Sequence, residues 1–202
     1  MPLDLEELLG PNAPLDRAYA GVWAPDLADW DCRNAMLADA RIHGRIVDDI
    51  LTQCFGHADP LLEDPGFADL DALKWVLRKR DSAFLTDVGL MWHAPALAPS
   101  LVDRQVRTSF EELDRSQMRA CMRFGDHAPA DLVGLPADLQ ACRISGVACL
   151  LAWMEDVPPA IADRVKLLFP PVPIDEDAAV VDARIALFKV ALAEVADIGT
   201  SA

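Results

Sequence analysis

The sequence predicts an all-α protein, a single compact, irregular bundle of about seven to nine helices joined by Pro-rich connections. Three observations carry this. Apolar residues recur at helical spacing along most of the 202 residues, 52% of which are hydrophobic. The 15 prolines and 10 glycines cluster between those periodic stretches. No stretch shows the period-two alternation of a half-buried strand.

The elements follow in order. Residues 1–33 read as an irregular N-terminal arm with short helices, because Gly10-Pro11, Pro14, Pro25 and Asp29-Trp30-Asp31 interrupt its apolar clusters. Residues 34–202 read as the helical domain. Its first helix is expected over 34–55, with Met36, Leu37, Ala40, His43, Val47, Ile50, Leu51 and Cys54 on one face, Asp39, Arg41, Arg45, Asp48 and Asp49 on the other, and Gly56 as the stop. After a loop over 57–67, one long helix is expected from Asp69 to Trp92, carrying Leu70, Leu73, Leu77, Phe84, Val88 and Met91, and ended by His93-Ala94-Pro95 and Pro99. Ser100 to Asp103 and Ser109 to Glu112 have capping-box form for two further helices, to Thr108 and to Phe124. Leu139 to Met154 is apolar nearly all round, which places it at a core centre. Pro158-Pro159 opens a short helix ending at Phe169, Pro170 to Pro173 forces extended chain, and Asp177 to Ala196 reads as the last amphipathic helix.

A net charge of −15 opposes a phosphate backbone or an anionic lipid surface, so nucleic acid is not an expected partner. The longest nearly uncharged apolar run, Ile144 to Met154, is far short of the roughly 20 residues a spanning helix needs, and the first residues lack a basic, then apolar, signal pattern; membrane insertion and export are not expected. The five cysteines form an odd set without CxxC spacing, which suits a reducing cytosol.

No catalytic, cofactor or metal site is expected. His43, His57, His93 and His127 lack the spacing of two ligands on one helix face, Ser145-Gly146 sits inside an apolar helix where close packing is its ordinary use, and no glycine-rich phosphate loop occurs. The sequence points instead to protein contacts. Arg115, Arg119 and Arg123 lie at i, i+4 and i+8 on one helix face; Lys74, Arg78, Lys79 and Arg80 form a second basic concentration; and Trp23 and Trp30 sit in the irregular arm. The arginine stripe either pairs with carboxylates of its own chain or docks an acidic partner segment.

From Leu73 to Pro171 the chain resembles the SctK (YscK/PscK) family of type III secretion accessory proteins. The resemblance rests on Leu73-Lys-Trp-Val-Leu77, Gly89-Leu-Met-Trp-His93, the arginine-bearing segments 101–124, the block Ser145-Gly-Val-Ala-Cys-Leu-Leu-Ala-Trp-Met-Glu155, Pro158, and Arg164-Val-Lys-Leu-Leu-Phe-Pro170. It implies a non-enzymatic, all-helical adaptor of the injectisome's cytoplasmic sorting platform, without cofactor. The adaptor would join the cytoplasmic domain of the inner-membrane ring protein to the pod protein, with the stator and ATPase reached indirectly. Such a protein works at the cytoplasmic face of the inner membrane. The alternatives are a secretion chaperone or regulator, and an all-α enzyme or ligand-binding domain with a pocket near His93, His127 and Cys121.

Overall fold

In the computed structural model, helices are built where apolar spacing and capping residues agree, and no strand occurs among the described residues. These are residues 5–10, 15–16, 18–19, 39–56, 67–80, 82–110, 113, 117, 128–129, 131, 133–173 and 177–200. The all-α expectation holds. The chain divides into two units interleaved in sequence: residues 1–78 with 156–171, and residues 79–155 with 172–202. The boundary expected at 33/34 lies outside the described residues.

The first unit holds α1 (Leu5–Leu9), α2 (Ala40–Phe55), α3 (Leu70–Arg78) and α7 (Pro159–Lys166). Leu5, Leu8 and Leu9 bury α1, which packs on α3 and α7. Ile46, Val47, Ile50 and Leu51 turn inward from α2 onto Tyr19 and Leu167, with Leu15 and Phe55 at the margin. Arg45, Asp48 and Asp49 stay in water on the opposite face, as the pattern predicts. Cys54, at the end of the predicted stripe, is exposed; its neighbour Phe55 is the residue that packs at the core margin there. Gly56 ends α2 at φ +82°, a conformation that disfavours any side chain. Pro159 stands in the first turn of α7, where its missing N–H leaves no bond unmade. Asp163 on α7 is buried and accepts from Lys166 Nζ at 2.6 Å, and Lys166 in turn lies 5.1 Å over the Phe55 ring.

The second unit holds α4 (Phe84–Ser100), α5 (Arg104–Ser109), α6 (Leu139–Trp153) and α8 (Ala178–Thr200). Helix α6 packs against both α4 and α8, so the nearly all-apolar helix is central to this unit. Asp138 caps it, its carboxylate accepting from the Ala141 N–H at 2.8 Å, and Asp177 does the same for Ala179 at the start of α8. Phe188 of α8 is fully buried and meets Trp153 and Phe84 with ring centroids 5.2 and 6.0 Å away.

Three expectations are corrected here. The helix predicted from Asp69 to Trp92 is two helices, broken between Arg78 and Phe84. The Arg143 guanidinium of α6 donates to the carbonyls of Arg80 and Ser82 in the break, and Ser82 Oγ accepts from the Phe84 N–H at 3.3 Å to start α4. Next, α4 does not stop at Pro95 but runs through Pro95 and Pro99 to Ser100. An interior proline opposes a helix by about 3 kcal/mol, and the burial of Ala94 and Leu97 on Leu90, Phe110 and Cys142 outweighs that local preference. Finally, the cap of α5 is Asp103, whose carboxylate accepts from the Gln105 N–H at 2.7 Å, while the Ser100 hydroxyl donates back to the Ala96 carbonyl. Of the helix expected to Phe124, all but residues 109, 110, 113 and 117 lies outside the described residues.

Candidate functional site

Two segments quoted for the family resemblance, Gly89 to His93 and the start of Ser145 to Glu155, meet at the contact between α4 and α6, where His93 reaches Ser145 and Gly89 lies against Gly146. The closeness of that contact is set by glycine. A Cβ at Gly89 would stand 1.7 Å from the Cys142 carbonyl oxygen, and one at Gly146 would stand 1.8 Å from that of Leu85. The backbones therefore touch at two levels about a turn apart, a distance no other residue permits. The sequence reading of Gly146 as a packing residue holds. Gly89, which looks isolated in sequence, is its counterpart.

One turn further along α4, His93 ties the seam with two polar contacts. Its Nδ1 lies 2.7 Å from the Gly134 carbonyl oxygen, and its Nε2 lies 2.7 Å from Ser145 Oγ. A carbonyl can only accept, so Nδ1 carries the proton, and Nε2 of the neutral ring accepts from the Ser145 hydroxyl. Burial of the ring pushes its pKa below the usual imidazole range, the charge of Arg184 pushes the same way, and the Gly134 bond pulls against both. Arg184 of α8 lies 5.2 Å over the Trp92 ring, so α8 closes on the same place.

A serine hydroxyl on a histidine whose other nitrogen is oriented by an acceptor invites a nucleophilic reading. The backbone argues otherwise. Ser145 sits within α6, where the surrounding N–H groups are taken by the helix ladder, and an acyl-transfer site needs free donors aimed at a developing oxyanion. What the contact does chemically is satisfy a partly buried hydroxyl and imidazole while fixing α4, α6 and the Gly134 segment to one another. No group of three or more His, Cys, Asp or Glu side chains that could hold a metal ion occurs among the described residues. His43 is buried on α2, and Cys142 and Cys149 are buried on α6, their thiols pushed up to about 12 chiefly by that burial.

The expected contact residues fare unevenly. Arg115, Arg119, Arg123, Trp23 and Trp30 lie outside the described residues, as do His57, His127 and Cys121. Lys74 is partly buried on α3, and Arg78 at the end of that helix is exposed. In the other unit, Lys79 is exposed and Arg80 half-buried. The corner between α4 and α5 was not singled out by sequence reasoning, yet Val102 there is 87% exposed beside the exposed Arg104 and Arg107. Its only signal in sequence is an aliphatic residue between a helix end and an Asp cap.

The described residues thus define an all-helical protein organised, in its second unit, around a glycine-packed helix pair. None of its described helices is long and apolar enough to cross a membrane. Residues 101–194, a little under half of the chain, match the family described as bacterial type III secretion apparatus protein (OrgA_MxiK). The SctK resemblance is borne out, and the match extends it past Pro171 through most of α8, while residues 73–100 fall outside it. No curated protein and no solved structure matches the chain.

Proposed function

We propose that the protein is a non-enzymatic adaptor of the type III secretion sorting platform, joining the cytoplasmic domain of the inner-membrane ring protein to the pod protein and so supporting export. The observation that carries this reading is the match of residues 101–194 to a secretion apparatus family. The physical character of the matched stretch supports it. Helices α6 and α8 supply buried packing, and the polar residues at their contact with α4 are used to fix helices together. A firmly packed helical body suits a component that must hold partners at a set spacing. Through those partners it would connect with the stator and ATPase, at the cytoplasmic face of the inner membrane.

The test is reciprocal capture of the purified proteins together with secretion by a deletion strain. An adaptor retains both the ring domain and the pod protein, and its deletion abolishes export. Capture of neither, with secretion intact in the deletion strain, refutes the reading; capture of a secreted substrate alone favours a chaperone.

A further inference from the structure

We infer that the corner joining α4 to α5 is a docking surface for an acidic protein segment bearing an apolar side chain, an inference that does not depend on the adaptor reading. The corner is built firmly from beneath. Leu101, Val106 and Leu113 pack on the cluster of Leu90, Ala94, Leu97, Phe110 and Cys142, and Phe110 is 3% exposed. Above that support the turn is fixed by its own bonds: the Asp103 N–H donates to the Ser100 carbonyl at 3.0 Å, the Asp103 carboxylate accepts from Gln105, and the Arg107 N–H donates to the Asp103 carbonyl at 3.0 Å.

On this fixed base Val102 stands 87% exposed, against 37–47% for Ile42, Leu135 and Ile144, the other exposed large hydrophobics among the described residues. An aliphatic side chain held out by an ordered turn loses little freedom when a partner covers it. Ala98 and Pro99, also exposed, extend the apolar surface on the α4 side.

The charge beside it selects the partner. Arg104 and Arg107 are one helical turn apart, both exposed, and neither guanidinium makes an ion pair among the described residues. The nearest acid in sequence, Asp103, is turned onto its own helix start. In a chain of net charge −15 two exposed arginines a turn apart are cations complementary to a partner's carboxylates. A nucleic acid is disfavoured by the rest of that charge, and its flexible backbone has no use for Val102.

The experiment uses the full chain and a short fluorescein-labelled Glu-rich peptide carrying one Leu, followed by anisotropy at low and at about 0.15 M salt. The peptide binds, more weakly as salt rises. Arg104→Glu/Arg107→Glu weakens it by roughly tenfold or more, Val102→Ser weakens the Leu peptide but leaves its Leu→Ser version unchanged, and Lys189→Glu, an exposed cation elsewhere, has no effect. Unchanged circular dichroism shows that the surface variants are folded. The inference is overturned if the peptide does not bind, if the corner variants bind it as the parent does, or if an oligonucleotide of equal charge binds more tightly. The adaptor reading is judged separately by ring and pod capture, so either can fail without the other.

Discussion

Replacing Gly146 by Ala should destabilise the protein even though alanine is the better helix former. On propensity alone the change favours the helix by about 1 kcal/mol. Against that, the new Cβ would lie 1.8 Å from the Leu85 carbonyl oxygen, 2.8 Å from its carbon and 3.2 Å from the Gly89 nitrogen, all backbone atoms that cannot rotate away. Restoring an ordinary 3.4 Å contact requires α4 and α6 to part by roughly 1.6 Å at that level. A radial gap of even 0.5–1 Å forfeits about a quarter to a half of each contact's attraction, so Leu85, Val88, Cys142 and Cys149 all lose packing. Overpacking costs about 1–3 kcal/mol, and a clash with backbone atoms falls at the upper end; less the propensity gain, a net loss of about 1–2 kcal/mol follows, lowering the thermal midpoint by roughly 2–8 °C. Thermal and urea unfolding followed at the helical circular dichroism band measures it. Gly134→Ala is the control, since a Cβ there meets nothing within 4 Å. If Gly146→Ala matched or exceeded the parent's stability, the close approach of α4 and α6 would be wrong. The double variant Gly89→Ala/Gly146→Ala should fall short of the summed losses, because one separation relieves both clashes.

Other outcomes follow from the same geometry. His93 is held below its usual pKa by burial and Arg184, so the unfolded chain binds its proton first as pH falls. Its contribution to stability is complete above about pH 6.5 and is lost as pH falls through the lower folded value; urea midpoints at neutral and acidic pH should show this, and His93→Gln should flatten the dependence that His93 supplies. Asp163→Ala removes the acceptor of Lys166 Nζ and leaves polar groups of α7 poorly satisfied, a loss of about 1–3 kcal/mol readable in the same melts. With thiols pushed up to about 12, Cys142 and Cys149 should resist iodoacetamide at mildly alkaline pH in the native protein, while the exposed Cys54 is alkylated, as peptide mass spectrometry would report.

What was legible in the sequence was whatever local pattern and tertiary packing agreed on. The inward face of α2, the central apolar α6 and the Pro159 start of α7 are of this kind, because their spacing and end signals say the same thing as their burial. The break after Arg78 was hidden because Leu77 and Phe84 stand two turns apart, so the apolar rhythm continues through it. The group that occupies the break is Arg143, more than 60 residues away. Pro95 misled in the opposite sense: its local preference is real, and only the buried surface of Ala94 and Leu97 overrides it. At the seam, Ser145 and Gly146 could be assigned to packing from their helix alone, but His93 lies 52 residues from Ser145, and no spacing rule reaches that far. Val102 was overlooked because the Ser100 to Asp103 pattern suggested a helix start around it, whereas the cap falls at Asp103 and leaves it outside.

The same seam shows how packing spreads its demands over whole segments and not over a short motif. A catalytic site constrains a few side chains, whereas two helices in backbone contact constrain every residue that sets their separation: Gly89 against Cys142, Gly146 against Leu85, and the His93 to Ser145 tie one turn along. A larger residue at either glycine shifts both helices, and with them the Gly134 segment that His93 holds and the α5 corner that rests on Leu90 and Cys142. In the adaptor role proposed above, the output is the position of surfaces, and such a seam would do the work that an active site does in an enzyme: it turns sequence into fixed geometry beneath exposed groups such as Val102, Arg104 and Arg107.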